Sequence, residues 1–172
     1  MQARQRENGK RIVLSEESFK KVADLLQDFL KRSRATLCVF ADMNGYPIAY
    51  QGYLNQSQVA SLTALAAGDF LATSEMAKLT QNGDRFSFIF HEGVKQNLYL
   101  CSLGDDYLLV VLFHKSIALG LIRVLTQHII EQLQQLLKQF RQQYQENVEL
   151  FDNEFRALLG KELDKAFGSK RS

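Results

Sequence analysis

Proline occurs once, cysteine twice and histidine three times in this chain of 172 residues. No glycine-rich phosphate loop, nucleophile elbow, paired-cysteine metal motif or histidine-glutamate-histidine helix is present, so the common catalytic and metal-binding signatures are missing and neither a metal nor a cofactor is expected. His91 and Glu92 form the one polar pair that stands out. Neighbours on a strand point to opposite faces and cannot readily cooperate on one substrate. No third group is evident to orient the imidazole, so the pair is read as a structural strand end, and His114 and His128 are isolated. Cys38 and Cys101 each sit in an apolar, strand-like run, which suits reduced core thiols better than a disulfide.

Charge of one sign is also lacking. With 21 basic and 19 acidic residues the formal charge is +2, too little to generate a field for nucleic acid or an anionic membrane. Basic residues gather at Arg4, Arg6, Lys10 and Arg11, and again at Lys31, Arg32 and Arg34, without the interleaved aromatics that stack on bases. They read as a solvated tail and a helix end, so no nucleic-acid partner is expected. The polar N-terminus has no apolar leader core and no run is long enough to span a bilayer, so the expectation is a cytoplasmic protein without membrane insertion.

What is present has the length for one domain with a core, plus tails. Residues 1–14 lack apolar periodicity and are expected to be a flexible basic tail. Ser15 and the acids after it can start a helix whose apolar residues Phe19, Val22, Leu25, Leu26, Phe29 and Leu30 recur at three- and four-residue spacing. Thr36 to Ala41 is short and β-rich, and Asn44-Gly45 turns the chain into a second strand whose Pro47 places it at a sheet edge. A second helix, capped by Ser57 and running to about Leu79, carries a larger-residue face at Val59, Leu62, Ala66, Phe70, Thr73 and Ala77. Its flatter face holds Ala60, Ala64, Ala67, Gly68, Leu71 and Glu75. A mid-helix glycine costs about 1 kcal/mol against alanine, so Gly68 marks a close approach, either of its own sheet or of another chain.

Three strands then form a meander, Arg85 to His91, Leu98 to Leu103 and Tyr107 to Phe113. The last is apolar throughout and belongs in the centre, which gives an α/β sandwich of the α+β kind with an antiparallel sheet in the order 2-1-5-4-3. Phe86, Ser87, Phe88, Ile89 and Phe90 then lie on the outer strand, with no proline, bulge signal or inward lysine to protect it. Such an edge pairs readily with its counterpart in a second copy. A third helix from about Ser116 presents Ile122, Leu125, Ile129, Leu133, Leu136, Phe140 and Tyr144 to the sheet. After a linker, an extra C-terminal helix capped by Asp152 is expected within 146–172, leaving 15–145 as the folded domain. Its stripe Phe151, Phe155, Leu158, Leu159, Leu163 and Phe167 can fold back on the domain or dock in a groove on a partner.

From Leu65 to Arg123 the blocks Ala67-Gly68, Ala77-Lys78-Leu79, Phe90-His91-Glu92-Gly93, Leu98-Tyr99, the strand ending in Phe113, and Leu119-Gly120-Leu121-Ile122-Arg123 follow in a characteristic order. They resemble the roadblock/dynein light chain family, and within it the MglB-like group, over roughly residues 15–145. The resemblance implies the α-β-β-α-β-β-β-α sandwich, with helices on both faces, dimerised by edge pairing. It further implies a cytoplasmic regulator without its own catalytic site, binding a bacterial Ras-like small GTPase of the MglA type, two copies to one, and stimulating GTP hydrolysis in cell polarity and motility. The alternative is a roadblock scaffold that holds a GTPase without changing its rate. By resemblance, Ala64, Ala67, Gly68, Leu71, Ala72 and Glu75 lie on or near the GTPase-binding surface, and the C-terminal stripe docks on the same partner. The chain departs from the family pattern at Asp69 and Phe70.

Overall fold

The computed structural model describes residues 15–80 and 86–167; beyond residue 142, side chains are described only at 145, 153–159 and 161. The expected tail, 1–14, and Arg85 lie outside the described residues. The first helix, α1 (Glu16–Ser33), starts where the Ser15 hydroxyl accepts from the Ser18 amide and ends where Arg34 turns left-handed at φ 58° with its N–H on the Leu30 carbonyl. Acids in its first turn and Lys31 and Arg32 in its last complement the helix dipole. Val22, Leu26 and Phe29 are buried, whereas Phe19, expected on the same stripe, is exposed.

Strands β1 (Leu37–Asp42) and β2 (Pro47–Gly52) pair antiparallel around the predicted turn. Asp42 Oδ1 accepts from the amides of Asn44 and Tyr46, and Gly45 takes φ +87° with the turn pressed on the second helix. A Cβ at Gly45 would stand 2.6 Å from the Ala64 Cα, so the position has neither the space nor the backbone angle for another residue. Helix α2 (Gln56–Lys78) is capped by Asn55 rather than Ser57. The reason is reciprocal bonding: Asn55 Oδ1 accepts from the Gln58 amide, and Gln58 Oε1 accepts from the Asn55 amide.

Strands β3 (Phe88–His91), β4 (Gln96–Leu103) and β5 (Tyr107–His114) complete one five-stranded antiparallel sheet in the order β2-β1-β5-β4-β3. Strand β5, an unbroken run from Tyr107 to Phe113 before His114, is central, and the proline strand and phenylalanine strand are the two edges. Leu108 and Val110 of β5 join Leu37, Val39 and Leu100 against Val59, Ala66, Ala67 and Phe70 of α2. Pleating turns the alternate residues to the opposite face, where α1 and the start of the third helix lie side by side, Leu25 and Phe29 facing Leu125 and Ile129. The element order and the strand order are those the resemblance implies.

Helix α3 (Leu119–Phe167) differs from expectation. A break near 146 followed by a separate helix does not occur; one helix runs through, and Asp152 is inside it rather than at a cap. No glycine or proline interrupts residues 121–159, and glutamine, glutamate, leucine and arginine dominate there, so nothing stops propagation. Two compact units divide the chain between Leu133 and Gln134. The first holds the sheet, α1, α2 and the start of α3; the second holds the remainder of that helix. In the second, Phe155, Leu158 and Leu159 are exposed, while the side chains of Phe151, Leu163 and Phe167 lie outside the described residues. Among the described residues no helix is long and apolar enough to cross a membrane.

Candidate functional site

Helix α2 buries Val59, Thr63, Ala66, Phe70 and Ala77 at spacings of three, four and seven, which commits one face to its own sheet. The Thr63 hydroxyl donates to the Val59 carbonyl within the helix, so this buried polar group needs nothing from outside. The opposite face is exposed and apolar. Ala64, Gly68, Leu71, Ala72 and Glu75, all assigned to a partner surface by resemblance, lie on it. Ala67 does not: it is 3% exposed and packs in the core beside Ala66 and Phe70. Its position, four residues after Thr63 and three before Phe70, puts it on the buried side.

Three large residues belong to the exposed strip that sequence reasoning left out. Leu65 is 74% exposed, Met76 56% and Leu79 87%. With Gly68 and Ala72 they make the series 65, 68, 72, 76, 79, a three- and four-residue period that was available to find them. Gly68 lies within this strip, and a Cβ built on it meets nothing within 4 Å. Its own sheet therefore does not require the glycine, and the close-packing explanation within the subunit is removed.

The edge strand meets this helix at one point. Ile89 and His91 of β3 turn toward α2, as Phe88 and Phe90 turn to the other face. His91 Nε2 lies 2.6 Å from Asp69 Oδ2 on α2, with both side chains partly exposed. The third group that sequence alone did not supply for His91 is thus Asp69, 22 residues earlier. The pair orients an imidazole at the surface, and among the described residues Asp69 is the side chain bonded to it. Among the described residues no cluster of three or more histidines, cysteines or acids could hold a metal.

On its outer side β3 has no neighbouring strand among the described residues. The Ser102 amide donates to the Ser87 carbonyl at 3.2 Å, so Ser87 is a bonded position of the ladder with β4. Antiparallel alternation then aims the N–H and C=O of Phe88 and Phe90 away from β4, as open donors and acceptors. The regular strand is shorter than expected, beginning at Phe88, and Phe86 is exposed beside it. An open ladder and an apolar helix strip therefore flank a shared His–Asp contact.

The fold that carries these features has counterparts. The Roadblock/LC7 domain model matches residues 21–113, from within α1 to the end of β5. The chain belongs to the Roadblock/LC7 family. It is 31% identical in sequence to MglB of Myxococcus xanthus, with a TM-score of 0.68 over 75% of this chain and 96% of that one. The gliding protein MglB from Thermus thermophilus is 26% identical, with a TM-score of 0.67 over 74% of this chain and 96% of that one. A protein of Aquifex aeolicus is 22% identical over 157 residues, covering 91% of this chain and 94% of its own length. The matched roadblock region includes the whole α2 strip, Asp69 and His91. Of the two departures from the family pattern, Phe70 is 5% exposed in the core and Asp69 is engaged by His91.

Proposed function

We propose that two copies pair through β3 and present their α2 strips to one Ras-like small GTPase of the MglA type, whose GTP hydrolysis they stimulate in the control of cell polarity and motility. The observation that carries this reading is Gly68: a glycine in the middle of an exposed helix, unexplained by its own subunit, inside an apolar strip that reaches from Ala64 to Leu79. The likeness to two MglB structures supports it. The open N–H and C=O groups of Phe88 and Phe90 support the pairing of copies, since an unprotected edge is a template for another strand.

The protein acts as a regulator and supplies no catalytic group of its own. Arg123 is packed over the ring of Phe88 at 4.7 Å, which suits a structural arginine rather than one reaching for a nucleotide. A thousandfold acceleration corresponds to about 4 kcal/mol, which preferential binding of one switch conformation of the GTPase can provide.

Phosphate release by an MglA-type GTPase, measured with and without a twofold excess of this protein, tests the proposal. Acceleration of at least tenfold that disappears in Gly68→Arg is the expected result. Binding without acceleration replaces the activator with a scaffold, and absence of binding removes the GTPase from the account.

A further inference from the structure

Beside the edge strand, on the face opposite α2, an open groove of about 410 Å³ separates β3 and β4 from α3. Phe88 and Tyr99 line it from the sheet, and Arg123, Thr126, Gln127 and Glu131 line it from the helix. Two features bear on what fills it. Thr126 is 1% exposed, yet its Oγ1 has no hydrogen-bond partner among the described residues. Arg123 and Glu131 face one groove with opposite charge, but they are eight residues apart, about 12 Å along the helix, and neither forms an ion pair with a described residue of its own chain.

The spacing has a symmetry. Arg123, Gln127 and Glu131 follow at intervals of four, so they stand on one flank of α3 in successive turns, a cation and an anion equally far from a neutral amide. A flank of this kind is complementary to itself when two copies run antiparallel about a twofold axis at the amide, and repels itself when they run parallel. We infer that the α3 flanks of two copies pack against each other about an axis near Gln127, Arg123 facing the partner subunit's Glu131 and Glu131 facing the partner's Arg123. The same packing brings the partner's Gln127 to the mouth of the groove, where the Thr126 hydroxyl lacks a bond. Arg123 stands over Phe88, and Gln127 lines the same groove one turn further along the helix, so the axis lies beside the edge strand. One axis thus serves strand pairing and helix pairing together. The inference rests on the β3 dimer and adds to it a second contact on the other face of the sheet.

Sedimentation of the full chain, its Arg123→Glu and Glu131→Arg variants, an equimolar mixture of those two, and the double variant tests the pairing. Each single variant places like charges opposite each other twice and is expected to raise the dimer dissociation constant by roughly tenfold or more. The mixture and the double variant restore opposite charges, and both are expected within a few-fold of the parent. Restoration in the mixture cannot come from repaired folding of either chain. Single variants that leave the constant unchanged, while lysines at Phe86 and Ser87 dissociate the dimer, overturn the helix contact and leave the edge dimer standing. Weakening without restoration in the mixture also overturns it, and a parent chain that stays monomeric overturns both.

Discussion

His91 Nε2 is bonded to Asp69 Oδ2 across 2.6 Å, which fastens the end of the edge strand to α2 one residue beyond Gly68. Both side chains are partly solvated, so the contact contributes modestly, at most about 1 kcal/mol. Asp69→Ala and His91→Ala are each expected to lower stability by less than that, and the double variant by no more than the larger single loss. Urea unfolding of the four proteins measures the coupling. Strict additivity of the two losses would show that the bond does not join strand to helix.

Gly68 separates subunit stability from partner binding. An added Cβ meets nothing within 4 Å, so Gly68→Ala is expected to stabilise the subunit by about 0.5–1 kcal/mol through helix propensity alone. On the proposed GTPase surface the same methyl stands in the way of a close approach, so binding is expected to weaken as stability rises, and Gly68→Arg is expected to abolish it. Denaturant midpoints and titration of the GTPase read the two effects independently. A stabilised alanine variant that binds as well as the parent removes the close approach.

Much of this architecture is legible in the chain because its signals are local or periodic. The unbroken apolar run of Tyr107 to Phe113 and the single proline Pro47 set the centre and one edge of the sheet, and the structure places both accordingly. The cap of α2 was legible too, since Asn55 and Gln58 have the three-residue spacing of a reciprocal pair, but Ser57 offered a competing hydroxyl closer to the apolar residues. Ala67 was harder: alanine packs on either side of a helix, and only the neighbours Thr63 and Phe70 reveal which. The Asp69 contact lies beyond periodicity altogether, because a helix pattern defines a face without saying which strand residue meets it. The continuity of α3 follows from a missing stop signal: the stripe passes from Tyr144 to Phe151 in a seven-residue step that keeps to one helix face, and no residue breaks the backbone between them.

Buried ionisable groups give the protein an alkaline limit. Burial pushes the Cys101 thiol up to about 11 and the Cys38 thiol higher still, and burial first, then Cys101, pushes the Tyr99 phenol up to about 12 against the pull of Arg123. In the unfolded chain the thiols release protons near 9 and the phenol near 10, before the folded chain does. Between those values the unfolded state holds fewer protons, so stability falls as pH rises. Melting temperature is expected to be unaffected by these groups up to about pH 8, to drop through pH 9 to 11, and to drop less in Cys101→Ala. A melting temperature that does not change from pH 8 to 11 contradicts the burial of these groups.

The exposed edge can be blocked without touching the core. Phe86 and Ser87 are exposed and precede the regular part of β3, so lysines at both positions cost the subunit little while placing charge beside the open N–H and C=O groups. The double variant is expected to melt within a few degrees of the dissociated parent, to sediment as a monomer, and to lose GTPase stimulation. A charged edge that still gives a dimer would move the subunit contact away from β3.

Phe155, Leu158 and Leu159 lie within one turn and a third of α3, and all three are exposed. Large apolar side chains at three- and four-residue spacing, exposed in this way, have the form of a segment that enters a groove on another protein. Their replacement by glutamate removes apolar surface from this segment and adds charge within the second compact unit alone. The triple variant is therefore expected to retain the parent's dimer constant and sheet stability while its affinity for the GTPase falls by tenfold or more. Arginine at Gly68 in the same background locates the effect: if the two losses multiply, strip and helix make separate contacts with the GTPase. If the triple variant binds as the parent does, the distal helix serves another purpose and the α2 strip carries the interaction alone.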